Sequence, residues 1–237
     1  MKTASILGVH FHAVTMQQAV DVAMSRIRAR QKGYVVTPNP EIVDLCRRDR
    51  EYMGIVNRAA LVLPDGIGII YAAKILGEEL CGKVAGIEFA EHLVAAMAKE
   101  NMRLFLLGAK PGVAEKAGEN LCKKYPGLVL AGTHDGYFKD PQEAAEAINA
   151  CGGADVVFVC LGAPKQELWM AKMAGKLPLG LMVGLGGSLD VFAGTVKRAP
   201  VAWQKLDLEW LYRLIKEPRR IGRMIVLEAA GERLRGK

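Results

Sequence analysis

The chain has 237 residues, of which 51% are apolar, and this is enough for one large α/β domain with a substantial core or at most two small domains. Such a composition excludes a disordered or low-complexity chain. The five cysteines never form a CxxC pair, so neither a disulfide framework nor a zinc knuckle is supported. No apolar run approaches the length of a membrane span, and the amino terminus does not resemble a signal peptide.

The net charge of +7 is concentrated near the carboxyl terminus. Residues 196–237 contain eleven Lys or Arg against five Asp or Glu, whereas residues 1–195 are nearly neutral, at +1. This asymmetry indicates an anionic partner such as a nucleic acid, a lipid surface or a polyphosphate, although a solvated basic helix pair would have the same composition. The sequence contains no motif that reads DNA, so we expect no nucleic-acid partner.

Short apolar runs alternate with helix-like segments through the first 195 residues. The predicted strands are Tyr34–Thr37, Leu61–Leu63, Arg103–Leu107, Leu128–Ala131, Asp155–Leu161 and Leu179–Val183, with an extra strand at Ser5–Val9. The predicted helices are Thr15–Arg30, Pro40–Asn57, Gly66–Leu76, Glu88–Glu100, Pro111–Tyr125, Pro141–Ala150 and Pro164–Ala174. The strands are continuously apolar, as in parallel sheets that are buried on both faces. We therefore predict a Rossmann-like α/β domain over residues 1–195, with a mostly parallel sheet and helices on both faces.

Residues 196–237 have a different pattern. Apolar residues recur every three or four positions between Trp203 and Ile215, and Pro218 then ends the helix or begins another. Basic residues beside tryptophan and leucine are typical of helices at a membrane surface. The alternative is that the apolar stripe packs on the domain core. We predict that this segment is a basic, amphipathic helical appendage that associates with a membrane. In solution, self-association to a homo-oligomer would cover its apolar stripe.

In parallel α/β sheets, ligands bind beyond the carboxyl ends of the strands. The loops that follow the predicted strands span 37–40, 64–66, 108–110, 132–137, 162–167 and 184–187. Five of these six contain glycine, which lets a backbone approach a phosphate closely. Together they predict a nucleotide or another phosphorylated ligand.

Two residues in these loops have more than one interpretation. Asp65 is either a turn residue or a general base that deprotonates a hydroxyl nucleophile. Asn39 either caps the following helix or binds a polar substrate, and Thr37 is held beside it among prolines.

The run Gly184–Ser188 superficially resembles a dinucleotide fingerprint, but no further βαβ unit follows it. Asp190, just after this run, could bind a base or ribose. With no DxD motif in the α/β region and no histidine pair at ligand spacing, we predict no metal and no cofactor.

Six ordered blocks resemble a known family. They are TPNPEIV (37–43), LPDGIGI (63–69), GAPKQELW (162–169), VGLGGSLDVFAG (183–194), KRAP (197–200) and LEWLYRLIKEPRRIGR (208–223). In this order they closely resemble the TagA/WecG/GumM family, glycosyltransferase family 26. The resemblance implies a bacterial, metal-independent enzyme, peripheral on the cytoplasmic face of the membrane, that moves a sugar from a UDP-sugar to a polyprenyl-diphosphate-linked sugar. The TagA branch adds N-acetylmannosamine to GlcNAc-diphosphoundecaprenol, in the linkage unit of wall teichoic acid.

Matching the family motifs implies roles for individual residues. Asp65 resembles the catalytic base, Thr37 and Asn39 resemble pocket residues, and Gln166 resembles a sugar or diphosphate contact. The tail arginines that would close over the active site are Arg213, Arg220 and Arg223. The remaining residues predicted to bind substrate or nucleotide are Lys83, Gly108, Tyr137, Glu167, Gly184, Gly186, Gly187 and Asp190.

Two points stay open. Lys83 stands where family members often have arginine, and a lysine lacks the bidentate fork that grips a diphosphate. The donor is also undecided, because transferases that use UDP-ManNAcA or UDP-glucose share most of the blocks. The alternatives from other classes are a nucleotide-dependent oxidoreductase and a nucleic-acid binder that acts through its basic tail.

Overall fold

The computed structural model of this chain describes residues 1–200, 202–203 and 211–212. Its strands are β1 (Thr3–Ile6), β2 (Val9–His12), β3 (Gly33–Val36), β4 (Leu61–Val62), β5 (Arg103–Gly108), β6 (Val129–His134), β7 (Ala154–Cys160) and β8 (Leu179–Gly184). Its helices are α1 (Met16–Arg28), α2 (Pro40–Arg48), α3 (Arg50–Asn57), α4 (Ile67–Leu76), α5 (Gly86–Ala98), α6 (Val113–Lys124), α7 (Pro141–Ala150), α8 (Lys165–Met173) and α9 (Ser188–Phe192).

Six of the strands form one sheet in the order β4-β3-β8-β7-β5-β6, and every neighbouring pair is parallel. The central strand β7 is almost continuously buried, because helices cover both of its faces. All six strands therefore end at the same edge, where their loops gather. The predicted mostly parallel sheet is confirmed.

The helices form two layers. Apolar residues of α2, α3, α4, α7 and α8 pack in one core on one face of the sheet, together with the β1–β2 hairpin. Those of α1, α5, α6 and α9 form the other core. The chain thus has the predicted Rossmann-like arrangement, and Thr15 caps α1 as expected, accepting a hydrogen bond from the Gln18 N–H.

Two predicted elements were wrong in detail. The predicted strand at Ser5–Val9 is a hairpin, in which Leu7 (φ 51°) and Gly8 (φ 93°) form the turn between β1 and β2. The predicted helix Pro40–Asn57 is interrupted at Asp49, whose backbone is extended. The Asp49 side chain accepts hydrogen bonds from the Glu51 and Tyr52 N–H groups, so it caps α3 and lets that helix change direction.

Most of the predicted appendage, including Arg213, Arg220 and Arg223, lies outside the described residues. In the part of this segment that the structure describes, the Trp203 N–H donates to the Pro200 carbonyl (2.9 Å). The Trp203 and Tyr212 rings pack edge to face, with their centroids 5.7 Å apart. Among the described residues, no helix has both the length and the apolar character that crossing a bilayer requires.

Candidate active site

The loops that follow β3 and β4 place Thr37 and Asp65 next to each other. The Asp65 N–H donates to the Pro38 carbonyl (3.2 Å), which ties the two loops together, and the Asp65 residue is half-buried. The buried Thr37 hydroxyl donates to the Gly184 carbonyl at the end of β8 (3.1 Å). Backbone and side-chain hydrogen bonds therefore fix the predicted base against two neighbouring strand ends.

The segment before α5 reaches the same place. The Val84 N–H donates to the Pro64 carbonyl (2.8 Å), so Lys83 and Asp65 flank one backbone contact. The first residue of α5, Gly86, approaches Thr37 so closely that an added Cβ would lie 2.9 Å from the threonine hydroxyl. The structure thus brings together Lys83, Asp65 and Thr37, which are distant in sequence.

Arg198, in the KRAP block, links the start of the basic segment to this end of the sheet. Its guanidinium forms an ion pair with Glu88 in the first turn of α5 (3.0 Å), where only 18% of the arginine side chain is exposed. The next residue, Ala199, is buried. Arg198 is therefore held against the first turn of α5, the helix whose Gly86 lies against Thr37.

Helix amino termini face the carboxyl edge of the sheet. Asn39 caps α2, because its Oδ1 accepts a hydrogen bond from the Ile42 N–H (3.1 Å); this confirms the capping interpretation, and contact with substrate stays a prediction. Among the described helices, α4, α5, α6, α8 and the five-residue α9 begin at this edge without a side-chain cap. The positive ends of the four longer helices therefore favour an anionic ligand here.

A cavity of about 270 Å³ opens at the junction of β5, β6, β7 and α9. Its lining consists of Ala109, Lys110, Gly136, Tyr137, Cys160, Leu161 and Asp190. The helices that follow β5 and β7 lie on opposite faces of the sheet, so the cavity occupies a topological switch point, the usual ligand site of such sheets. Burial raises the pKa of the Cys160 thiol to about 12, so this group lines the cavity as a neutral thiol and not as a nucleophile.

Two contacts shape the rim of the cavity. The Lys165 ammonium donates to the Gly136 carbonyl (2.9 Å) and lies 4.4 Å from the centre of the Phe138 ring, so the block GAPKQELW holds the β6 loop. Tyr137, 67% exposed, is left at the rim, where an aromatic face can stack on a base.

Gly108 has φ 131°, and an added Cβ would lie 2.3 Å from the Cys160 carbonyl oxygen. The end of β5 can therefore approach β7 only with glycine at this position.

Gln166 and Glu167 are buried, with 3% and 0% of their surface exposed. The Gln166 amide nitrogen donates to one carboxyl oxygen of Glu167 (2.7 Å), and the Gln166 amide oxygen accepts a hydrogen bond from the Gly186 N–H (2.9 Å). The Tyr52 hydroxyl donates to the other Glu167 oxygen (2.8 Å). The structure thus places Glu167 behind Gln166 and not at the surface of the cleft, and burial raises the pKa of this carboxyl above its ordinary value.

The glycines after β8 have separate roles. An added Cβ on Gly184 would meet the Met170 methyl at 2.8 Å and the Gln166 amide nitrogen at 3.1 Å. Gly186 uses its N–H on Gln166, whereas Gly187 is exposed at the start of α9, the helix that presents Asp190 to the cavity. Of these residues, Asp190 lines the cavity, and Gly187 is exposed at the start of the same helix.

The sequence analysis includes Lys110 only as part of the loop 108–110 and does not single it out, although it lines the cavity. It misses Tyr52, which lies 115 residues from Glu167 and gave no spacing signal. The described residues contain no cluster of three His, Cys, Asp or Glu that could hold a metal ion. All five cysteines are free thiols.

Several enzymes of named activity are similar to this chain over most of its length. The chain is 35% identical over 226 residues to an N-acetylglucosaminyldiphosphoundecaprenol N-acetyl-beta-D-mannosaminyltransferase of Bacillus subtilis, covering 95% of this chain and 88% of the relative. Enzymes with the same name from Bacillus spizizenii (39% over 197 residues, 83% and 76% covered) and Staphylococcus aureus strain MW2 (35% over 221 residues, 92% and 87%) are also similar. The sequence profile of the glycosyl transferase WecG/TagA/CpsF family matches residues 4–232. This match spans nearly the whole chain, and the protein therefore belongs to the WecG/TagA/CpsF family of glycosyltransferases.

Proposed function

We propose that this protein transfers N-acetylmannosamine from UDP-ManNAc to GlcNAc-diphosphoundecaprenol. The observation that supports this choice of substrates is the similarity, over 95% of the chain, to a transferase named for that reaction. The site agrees in chemistry: a carboxylate, an anion-favouring edge and an aromatic rim lie along one side of the sheet.

Asp65 acts as the general base in this proposal. It takes the proton from the acceptor sugar hydroxyl while the hydroxyl oxygen bonds to the anomeric carbon, and the bond from that carbon to the UDP oxygen breaks. Attack opposite to the leaving UDP inverts the configuration and gives a β product from an α-linked donor. The ties from Pro38 and Thr37 to the neighbouring strand ends support this role, because they hold the loops around Asp65 in place.

Charge that develops on the departing UDP has several partners in this arrangement. The amino termini of α4, α5, α6 and α8 point to the edge, and Lys110 lines the cavity. Lys83, which precedes the Val84–Pro64 backbone contact next to Asp65, offers a point charge without the fork of an arginine. We propose that Arg213, Arg220 and Arg223 complete this set from the basic segment, and that the enzyme needs no metal ion for the transfer.

The substrate assignment is tested with separate donors. Purified protein is incubated with UDP-ManNAc, UDP-ManNAcA, UDP-glucose or UDP-GlcNAc and a short-chain GlcNAc-diphospholipid, and the lipid product is identified by mass. We expect one N-acetylhexosamine to be added from UDP-ManNAc only. A product formed from UDP-ManNAcA or UDP-glucose alone would assign the chain to another donor within the family.

We further propose that residues 196–237 attach the enzyme to the cytoplasmic face of the membrane and bring the site to its lipid-linked acceptor. Eleven basic residues against five acidic ones in this segment favour an anionic surface. The ion pair between Arg198 and Glu88 supports this role, because it anchors the start of the segment beside the active site. Self-association through the same segment would then be lost when lipid is added.

Removal of the residues after Pro200 tests the membrane proposal. The truncated protein should keep its thermal unfolding transition but should not sediment with vesicles that contain anionic lipid, and its transfer to the lipid acceptor should fall to background. The control variant carries Lys123→Gln and Lys172→Gln on exposed positions of α6 and α8, and should sediment like the full chain. Collapse of the truncated protein would instead show that the apolar stripe packs on the core.

A further inference from the structure

The chain of hydrogen bonds that begins at Tyr52 lies outside the proposed chemical step. It runs from the Tyr52 hydroxyl to Glu167, from Glu167 to the Gln166 amide and from that amide to the Gly186 N–H, with lengths of 2.8, 2.7 and 2.9 Å. Tyr52 and Glu167 are 3% and 0% exposed, so neither reaches a ligand in the cleft. Any role in the reaction must pass through Gln166 and the loop after β8.

The Glu167 side chain accounts for the direction in which the Gln166 amide points. A Glu167 oxygen accepts the hydrogen bond from the amide nitrogen, so the NH₂ end of the amide faces Glu167 and the amide oxygen is left directed at Gly186. A reversed amide would set its NH₂ group against the Gly186 N–H, and two donors repel. Glu167 therefore fixes the orientation of Gln166, and Tyr52 fixes Glu167.

Gly186 belongs to a turn that is hydrogen-bonded directly to the start of α9. The Ser188 N–H and hydroxyl both bond to the Leu185 carbonyl, at 3.2 and 2.7 Å, so the turn continues directly into the helix. That helix presents Asp190 to the cavity of about 270 Å³. We therefore expect the position of Gly186 to affect that of Asp190 and of the exposed backbone at Gly187.

A purely stabilising role explains this network poorly. Placing a carboxyl group in an apolar core is costly, and replacing such groups by apolar ones is often neutral or stabilising. The network is instead fully hydrogen-bonded at each described link, which is the arrangement that holds one geometry of a neighbouring loop.

We propose that Glu167 and Tyr52 are positioning residues for donor binding, which act through Gln166 to hold the Gly184–Gly187 loop and Asp190 in the geometry that receives the UDP group. This inference rests on the proposed function, because it takes UDP as the ligand of the cavity. It adds Tyr52 to the site and gives Glu167 an indirect role.

Tyr52→Phe is the main test, and Tyr34→Phe is its matched control. Both hydroxyls are buried in the same core, and the Tyr34 hydroxyl donates to the Ile55 carbonyl (2.7 Å) and not to Glu167. Both variants should lose a similar amount of thermal stability. Only Tyr52→Phe should weaken UDP binding, by about tenfold in calorimetric titration, and raise the donor KM while the acceptor KM stays unchanged.

Glu167 variants give a second measurement. Glu167→Met removes both acceptor oxygens and should weaken UDP binding by about 10- to 100-fold, whereas Glu167→Gln keeps one oxygen for Gln166 and should restore binding to within about threefold of the original chain. Hydrogen exchange of residues 184–189 should rise in Tyr52→Phe and Glu167→Met but not in Tyr34→Phe, because the Gly186 N–H loses its fixed acceptor.

The results separate the two proposals. If the unmodified protein does not bind UDP, the proposed function fails. If UDP binds the unmodified protein, Tyr52→Phe and Tyr34→Phe with equal affinity, and exchange at residues 184–189 is the same in all three, the positioning role is wrong even though the function stands. If Glu167→Met does not fold, the comparison of the two tyrosine variants decides the question.

Discussion

Asp65→Asn is expected to lower kcat by about 10²- to 10⁴-fold, the usual cost of removing a general base. Asparagine has nearly the same shape but cannot take the proton of the attacking hydroxyl. The backbone contact from the residue 65 N–H to the Pro38 carbonyl does not depend on the side chain, so we expect an unchanged unfolding temperature. Steady-state kinetics at saturating donor and acceptor measure the effect, and titration with UDP should show an affinity close to that of the original enzyme.

Asp21→Asn is the control for this substitution. Asp21 is exposed on α1 and accepts a hydrogen bond from the Gln17 side chain. The Asp21→Asn substitution removes the same charge as Asp65→Asn and should leave kcat unchanged. Near-normal turnover of Asp65→Asn would assign the base to another residue, and equal loss in both variants would indicate a general effect of charge.

Gly108→Ala should be the most damaging single methyl addition at the site. The φ of 131° is strained for alanine, and the new Cβ would lie 2.3 Å from the backbone oxygen of Cys160, which cannot rotate away. We expect a loss of about 2–4 kcal/mol in the free energy of unfolding, or about 5–15 °C in Tm. UDP binding should weaken by at least about tenfold, because β5 and β7 would separate where they form the cavity.

Gly175→Ala tests the cost of backbone strain alone, without the steric clash that Gly108→Ala introduces. Gly175 also has a positive φ, 79°, but nothing lies within 4 Å of the Cβ that alanine would add, and it follows α8 at the opposite edge of the sheet. Calorimetry should show only about 1 kcal/mol of destabilisation, and UDP should bind normally. Equal losses of stability in the two variants would show that the close approach of β5 to β7 is not tight in solution.

The order of elements is largely readable from the sequence. Continuous apolar runs predict β5 and β7, and Pro and Thr15 signals mark helix starts, because these features depend on local periodicity and capping. The hairpin at Leu7 and the break at Asp49 are not readable. A leucine at positive φ gives no turn signal, and Asp49 falls inside an amphipathic pattern that continues through it.

The site divides in the same way. The positions of Asp65, Thr37 and Gly184 at predicted strand ends are enough to mark them as site residues, because parallel strands deliver their loops to one edge. The same positions do not reveal that Thr37 bonds to Gly184, that Asn39 caps α2 or that Lys83 comes beside Asp65. Those contacts join segments that only the sheet order makes neighbours.

The sequence by itself thus determined the α/β class and the family, since apolar periodicity and ordered motifs are local properties of the chain, and it predicted the carboxyl edge as the reactive side. Only the tertiary structure decided which of the predicted side chains line the cavity and which are buried behind it. Gln166 and Glu167 are adjacent in a motif that resembles a substrate contact, yet both lie in the interior, where they connect Tyr52 to Gly186. Burial and hydrogen-bond partners come from packing between distant segments, and no local pattern encodes them.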